Sequence, residues 1–288
     1  MKLILVILVL YYIFMVCYIS RSISNQKFPE YNKYKERKSS KIPNVIYTYW
    51  HDGDFPPLVS KCIESWKRHN PGYTIVVLSK ENLQQYIPFD INQLRFANTQ
   101  QQKSDFIRIY VLAEYGGIWL DASIYLNQSL DWIHAYQFNE NSEFVGYKIN
   151  AFTKTFPVIE NWFLACVPKS NFMNDWKDVF YSMNNYETIE SYVNSIKQTT
   201  DFQGIPSYYF SYLTMHIACQ YILQHNNYKL SILEAEKGPF LYLEKIYWNH
   251  LYFIPIISIH KGKESPVVKY RKGERIILEK LYLTNFLD

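Results

Sequence analysis

Glycine is scarce in this chain, with nine in 288 residues, and they never space out into a phosphate-binding loop. That excludes the ready-made dinucleotide and Walker cradles, where glycine lets backbone N–H groups approach phosphate. No G-x-S-x-G elbow and no H-E-x-x-H helix occurs, so no signature of an α/β-hydrolase or a zincin is present. The four cysteines, Cys17, Cys62, Cys166 and Cys219, have neither disulfide-framework nor zinc-ligand spacing and read as reduced thiols. Charge of one sign is also missing. The net charge is +4, its excess lies in segment 21–41 and the C-terminal tail, and the Lys/Arg are not interleaved with aromatics. A nucleic-acid partner is not expected. With no repeat or low-complexity tract, the length fits one domain plus an anchor.

What is present begins with an uncharged apolar run over residues 3–19, LILVILVLYYIFMVCYI. At about 17 residues it is at the short end of what crosses a bilayer core. It ends in bulky Tyr18-Ile19 where a signal peptide would carry a small-residue cleavage site, so residues 1–20 read as a retained transmembrane anchor. Only Lys2 precedes it, whereas Arg21, Lys27, Lys33, Lys35, Arg37, Lys38 and Lys41 follow. The positive-inside bias favours a cytoplasmic domain, or a luminal one behind a eukaryotic Golgi-type anchor. Segment 21–41 reads as a basic tether and residues 42–288 as the functional domain.

From there the pattern is β-α-β-α, which predicts an α/β fold with a parallel sheet covered by helices. Strands are expected at residues 45–50 and 73–78, and helices at 58–69 and 80–86. Further along, 144–147 reads as a strand, 158–166 and 172–196 as helical, 208–225 as a long aromatic helix, 253–260 as a late strand, and 267–287 as an amphipathic helix.

The stretch SDFIRIYVLAEYGGIWLDASIYL, residues 104–126, carries the chemistry. Helical spacing runs to Gly116-Gly117, which stop the helix because glycine enters the left-handed cap without a Cβ penalty. Ile118-Trp119-Leu120 then forms a buried strand closed by Asp121. A carboxylate where such a strand emerges sits where open α/β sheets bind ligands. Asp105 and Arg108 share a helix face, either as an ordinary ion pair or as a clamp on sugar hydroxyls and phosphate. Asp121 suits a ribose hydroxyl or a divalent metal on a diphosphate, and Ser123 points to the same side as a weaker ligand. Trp50 ends the first strand, as a core aromatic or as a stacking platform for a base. His260 and Lys261 close the late apolar run and suit a metal and a phosphate, or a purely structural role. His51, Asp52 and Asp54 form a polar loop at the rim that either joins the site or only makes a turn.

These residues, with IPNVIYTYW and the helix ending in NPGY, resemble the family 32-like glycosyltransferases of the sugar-binding region with an Asp-X-Asp motif, in their capsular polysaccharide synthesis branch. The resemblance is close over about residues 42–130. It implies a GT-A fold with a Rossmann-like nucleotide half and an acceptor half. It also implies a nucleotide-sugar donor, usually a UDP-sugar, a divalent metal (Mn²⁺ or Mg²⁺), and retaining transfer of a hexose to a glycan or lipid-linked glycan acceptor at the membrane. By position, Trp50 would stack on the base, Asp105 and Arg108 would hold the donor sugar, and Asp121 would contact ribose and metal. His260 would join Asp121 and Ser123 as a metal ligand, with Lys261 on the diphosphate. Ser123 stands where the motif's second carboxylate is expected. That leaves a second reading open: a catalytically degenerate sugar-nucleotide binder or a scaffold of a polysaccharide assembly complex.

Overall fold

The computed structural model describes residues 2–26, 41–150 and 155–287. Most of the expected tether lies outside them. The chain opens with helix α1 (Lys2–Ser24), which continues past the apolar run that ends at Ile19. Strand β1 (Val45–Tyr49), helix α2 (Pro57–His69) and strand β2 (Thr74–Leu78) follow as the pattern predicts. The helix expected at 80–86 is only a 3₁₀ turn, Leu83–Gln85. Next come α3 (Gln100–Tyr115), β3 (Gly117–Leu120), β4 (Ile124–Leu126), α4 (Trp132–Glu140) and β5 (Phe144–Lys148). The C-terminal half holds β6 (Ile159–Cys166), α5 (Asn171–Tyr181), α6 (Ile189–Lys197), α7 (Thr214–His225), β7 (Leu230–Glu234), α8 (Leu241–Lys245), α9 (Phe253–His260), β8 (Val267–Lys269) and α10 (Lys272–Lys280).

The central six-stranded sheet has the order β2-β1-β3-β6-β5-β7. Strands β2, β1 and β3 are parallel, β6 runs antiparallel between β3 and β5, and β7 pairs parallel with β5. Alternate residues of β3 serve opposite layers: Ile118 and Leu120 join α2, α8 and α9, while Trp119 joins α3, α5 and α7. A two-stranded antiparallel sheet, β4-β8, lies beyond the end of β3.

Four expectations are corrected. Residues 158–166 form a strand because an apolar run of that length satisfies either period, and pairing on both edges with β3 and β5 decides it. Residues 253–260 form helix α9, because their apolar surface is covered by α1 and α8 and makes no ladder. The helix expected from residue 208 begins at Thr214, after a 3₁₀ turn at Ser207–Tyr209. The C-terminal tail is divided into β8 and α10.

The turn that sets up the site is Gly116-Gly117, both at positive φ (64° and 103°). A capping box opens α3, with the Thr99 side chain accepting from Gln102 N and the Gln102 side chain returning to the Thr99 N–H. Gly116 closes the helix. A Cβ on Gly116 would lie 2.4 Å from Pro168 N, and one on Gly117 would lie 2.9 Å from the Val45 carbonyl oxygen. The reversal sends β3 back beside α3. Roughly 12 Å of helix from Arg108 to Gly116 is matched by roughly 13 Å of strand from Gly117 to Asp121. The first half of α3 is thereby delivered to the C-terminal end of β3. We expect Gly116→Ala to destabilise the chain by roughly 2–4 kcal/mol, combining left-handed strain with overpacking. A thermal-unfolding midpoint equal to wild type would contradict this.

Candidate active site

Asp121 stands just past β3, its backbone N–H donating to the Trp162 carbonyl at 2.9 Å. Because β1 and β3 are parallel, Trp50 leaves the sheet at the same C-terminal edge. Asp121 is bracketed by two cations. Its Oδ1 accepts from Arg108 Nη2 and from Trp119 Nε1, each at 3.2 Å. Its Oδ2 accepts from Lys269 Nζ at 2.7 Å, and the same ammonium donates to Ser123 Oγ at 3.1 Å. Burial alone would lift the Asp121 carboxyl, but Lys269 and Arg108 outweigh it and hold the group below its ordinary range.

Arg108 is almost fully buried and is fixed from several directions. Its Nη1 donates to the Asn161 carbonyl at 2.8 Å and lies 3.3 Å from Asp105 Oδ1. Its Nη2 also donates to Ser104 Oγ at 3.0 Å, and the guanidinium carbon sits 5.2 Å from the Trp119 ring centroid. Asp105 further accepts from Asn161 Nδ2 at 3.1 Å. Burial, opposed by Arg108 and assisted by Asp121, raises the Asp105 carboxyl to about 6. Glu160, also buried and within the field of Lys269 and Asp121, is raised to about 7.

The expected residues are therefore brought together in part. Asp105, Arg108, Asp121 and Ser123 form one network. Trp50 stands at the same edge, half-buried, its indole N–H donating to the Asp54 carbonyl at 3.1 Å and its ring 5.8 Å from His51 and 6.1 Å from Phe55. In that loop His51 lies 3.0 Å from Asp52. His260 does not join them. Its Nδ1 bonds Glu264 and its Nε2 bonds Ser20 of α1 at 2.9 Å, so both ring nitrogens are committed beneath α1. Lys261 caps α9 in the left-handed conformation beside it. The lysine that reaches the carboxylate is Lys269.

Lys269 was hidden within the tail read as a helix. Strand β8 pairs with β4 in a register that sets Lys269 opposite Ile124, and Tyr270 N donates to the Ser123 carbonyl at 3.0 Å. The visible signal was a lysine embedded in the apolar run Pro266-Val267-Val268-Lys269-Tyr270, where a buried cation requires an anionic partner. Also unforeseen are Asn161, Glu160 and, on α7, His216. Burial and the nearby Arg108 depress His216 to about 4, leaving it neutral, and its buried Nδ1 has no partner among the described residues. A cavity of about 270 Å³ opens beside Asp105, with Phe96, Phe180, Met183 and Tyr212 in its wall. A second, of about 290 Å³, lies between Tyr49, His51, Lys80, Phe89 and Lys103.

The donor set does not suit a divalent metal. Both oxygens of Asp121 and the Ser123 hydroxyl are taken by cationic donors. Among the described residues no three His, Cys, Asp or Glu side chains gather to hold a metal ion. An ion at Asp121 would stand beside two fixed cations, and each unit-charge pair at 4 Å opposes it by about 4 kcal/mol at an effective dielectric of about 20.

The carboxylate–guanidinium–ammonium cluster lies at the carboxyl ends of the α/β sheet's strands, where such sheets bind ligands. The family is given by sequence. The chain belongs to the capsular polysaccharide synthesis protein family, whose model matches residues 17–245. Its curated relatives are glycosyltransferases. The O-glycosyltransferase braB of Annulohypoxylon truncatum is 26% identical over 153 residues, 47% of this chain and 36% of that protein. Inositol phosphoceramide mannosyltransferase 3 of Schizosaccharomyces pombe is 26% identical over 98 residues, 33% of this chain and 28% of that protein. Glycosyltransferase afumC of Aspergillus fumigatus is 28% identical over 169 residues, 52% of this chain and 42% of that protein. The chain thus spans well under half the length of the curated relatives it matches. Among solved structures, a glycosyltransferase involved in glycosylation of the major capsid of PBCV-1 superposes with a TM-score of 0.47 at 10% identity, covering 83% of this chain and all of that one.

The raised Asp105 carboxyl gives a signed prediction. A folded-state value of about 6 against an ordinary 3.8 means that ionising Asp105 opposes folding. The penalty is absent below about pH 4, where the group is protonated in both states, and grows as pH rises through about 6. Asp105→Asn should therefore melt above wild type at pH 7.5, with the difference disappearing by pH 4. An Asp105→Asn chain less stable than wild type at pH 7.5 would contradict the assignment.

Proposed function

We propose that this chain is a membrane-anchored glycosyltransferase that moves a hexose from a nucleotide-sugar donor, a UDP-sugar, onto a glycan or lipid-linked glycan acceptor in surface polysaccharide synthesis. The observation that carries this reading is Asp121 held ionised between Arg108 and Lys269 at the C-terminal edge of the sheet. Asp121 suits a ribose or sugar hydroxyl. Arg108, with its position fixed by Asp105 and Asn161, faces negative charge without reorganising, which is the electrostatic requirement of a departing diphosphate. Membership of a polysaccharide-synthesis family and glycosyltransferase relatives support the reaction class. Attack by the acceptor hydroxyl on the face from which the diphosphate leaves gives retention. The test is transfer by the full chain in detergent from a panel of UDP-hexoses to lipid-linked glycan acceptors. Asp121→Asn should lower turnover by roughly 10²–10³-fold, and a wild-type chain inert toward every donor would overturn the reading.

The anchor belongs to the same proposal. The helix segment Ile4–Ser24 has mean hydropathy 2.2 and a mostly exposed apolar window, and is long and apolar enough to cross a membrane. The helix is also docked on the domain. Ile19 and Ile23 are buried in the core, Tyr12 Oη donates to the Leu251 carbonyl at 2.9 Å, and the Tyr12 ring stacks on Tyr252 at 5.4 Å. Residues 4–11, which extend past that contact, cover roughly 12 Å, well short of the roughly 30 Å hydrocarbon core. The domain edge bearing exposed Tyr247, Leu251 and Ile259 therefore sits in the bilayer interface with α1. The basic residues after α1 favour the cytoplasmic side. Charging this edge with Leu251→Asp and Ile259→Asp together should release more protein from membranes on alkaline-carbonate extraction, while unchanged retention would refute this seating.

A further inference from the structure

We propose that Lys269 takes the place of a divalent metal. Its ammonium is the cation that receives the donor's diphosphate, so the chain binds and turns over its donor without an added metal ion. The inference rests on the nucleotide-sugar reading above and adds which group meets the phosphates.

Ser123 lies two residues beyond Asp121, and the space reached by both side chains is where a cation shared by a carboxylate and its i+2 neighbour would stand. That space holds Lys269 Nζ, 2.7 Å from Asp121 Oδ2 and 3.1 Å from Ser123 Oγ. The placement is built into the fold. The lysine is fixed by the β4–β8 register, its own N–H donates to the Pro239 carbonyl at 3.0 Å, and its ammonium lies 6.0 Å from the Trp162 ring centroid. Lys269 is 8% exposed, so it is not a surface residue that happens to fold inward. Ser123 also fits this assignment better than a carboxylate would. A neutral hydroxyl is a weak ligand for Mg²⁺ or Mn²⁺ but an adequate acceptor for one ammonium hydrogen. Two of the three ammonium hydrogens are committed to Asp121 and Ser123, and the third is available to a phosphate oxygen.

In the transfer step, the bond from the anomeric carbon to the diphosphate oxygen breaks with its electron pair passing to that oxygen. A new bond forms from the anomeric carbon to the acceptor oxygen, and the acceptor proton passes to the departing diphosphate. Burial lowers the pKa of the Lys269 ammonium and the Asp121 carboxylate opposes that shift; in its charged form Lys269, with Arg108, neutralises the charge that appears on the leaving group.

The test is titration calorimetry of the full chain in detergent with UDP as probe, in EDTA and in Mn²⁺, beside Lys269→Met, with GDP and dTDP as controls. Wild type should bind UDP with affinities within about twofold in the two buffers. Lys269→Met should lose tenfold or more in affinity for UDP while keeping that for uridine, a split that a merely structural role would not produce. Binding of UDP only when Mn²⁺ is present overturns the inference and leaves the nucleotide-sugar reading intact. Absence of binding to all three nucleotides in both buffers overturns both. If Lys269→Met fails to fold, the wild-type comparison in EDTA still decides the question.

Discussion

One carboxylate, that of Asp121, is caught between two buried cations, one close to it in sequence and one from near the C-terminus. Arg108 arrives on a helix thirteen residues before it, and Lys269 on a strand nearly 150 residues after it. Neither cation is tolerable in the interior without the anion, and the anion would be costly without them. The remaining architecture follows from that requirement. The Gly116-Gly117 reversal sets helix against strand so that Arg108 meets Asp121. The short β4-β8 sheet exists where it does because β8 must bring Lys269 back to the end of β3. Removing any one of the three leaves a buried charge uncompensated, which is how a fold built around a polar centre preserves its geometry.

The local half of this arrangement was legible in the sequence. Helical spacing up to a glycine pair, a short apolar strand and a terminal Asp are short-range signals, and Asp105, Arg108, Asp121 and Ser123 came together as expected. The non-local half was not legible. Residues 158–166 satisfy helix and strand periods alike, and only pairing with two neighbours selects the strand. Residues 253–260 are apolar throughout, and their partner is helix α1, which sequence spacing does not reveal. His260 and Lys261 were attractive as a metal and phosphate pair, yet the histidine is spent on Glu264 and Ser20. Lys269, in a tail whose residues alternate ambiguously, holds the position instead.

The site is also tied to helix α1. Helix α9 touches α1, and α8 packs against both. The segment between α9 and β8 then turns directly into the strand that carries Lys269. The position of the cation at Asp121 is therefore set by elements that pack on the apolar helix. Helix α1 itself contributes core residues, Ile19 and Ile23.

The central claim, that a protein cation and not a bound metal completes the site at Asp121, is tested most directly by a crystal structure of the full chain grown with UDP and Mn²⁺, with diffraction collected at the manganese absorption edge. The account predicts the diphosphate against Lys269 Nζ and Arg108, and no anomalous peak between Asp121 and Ser123. A manganese peak bridging those two side chains and the diphosphate, with Lys269 displaced, would contradict it.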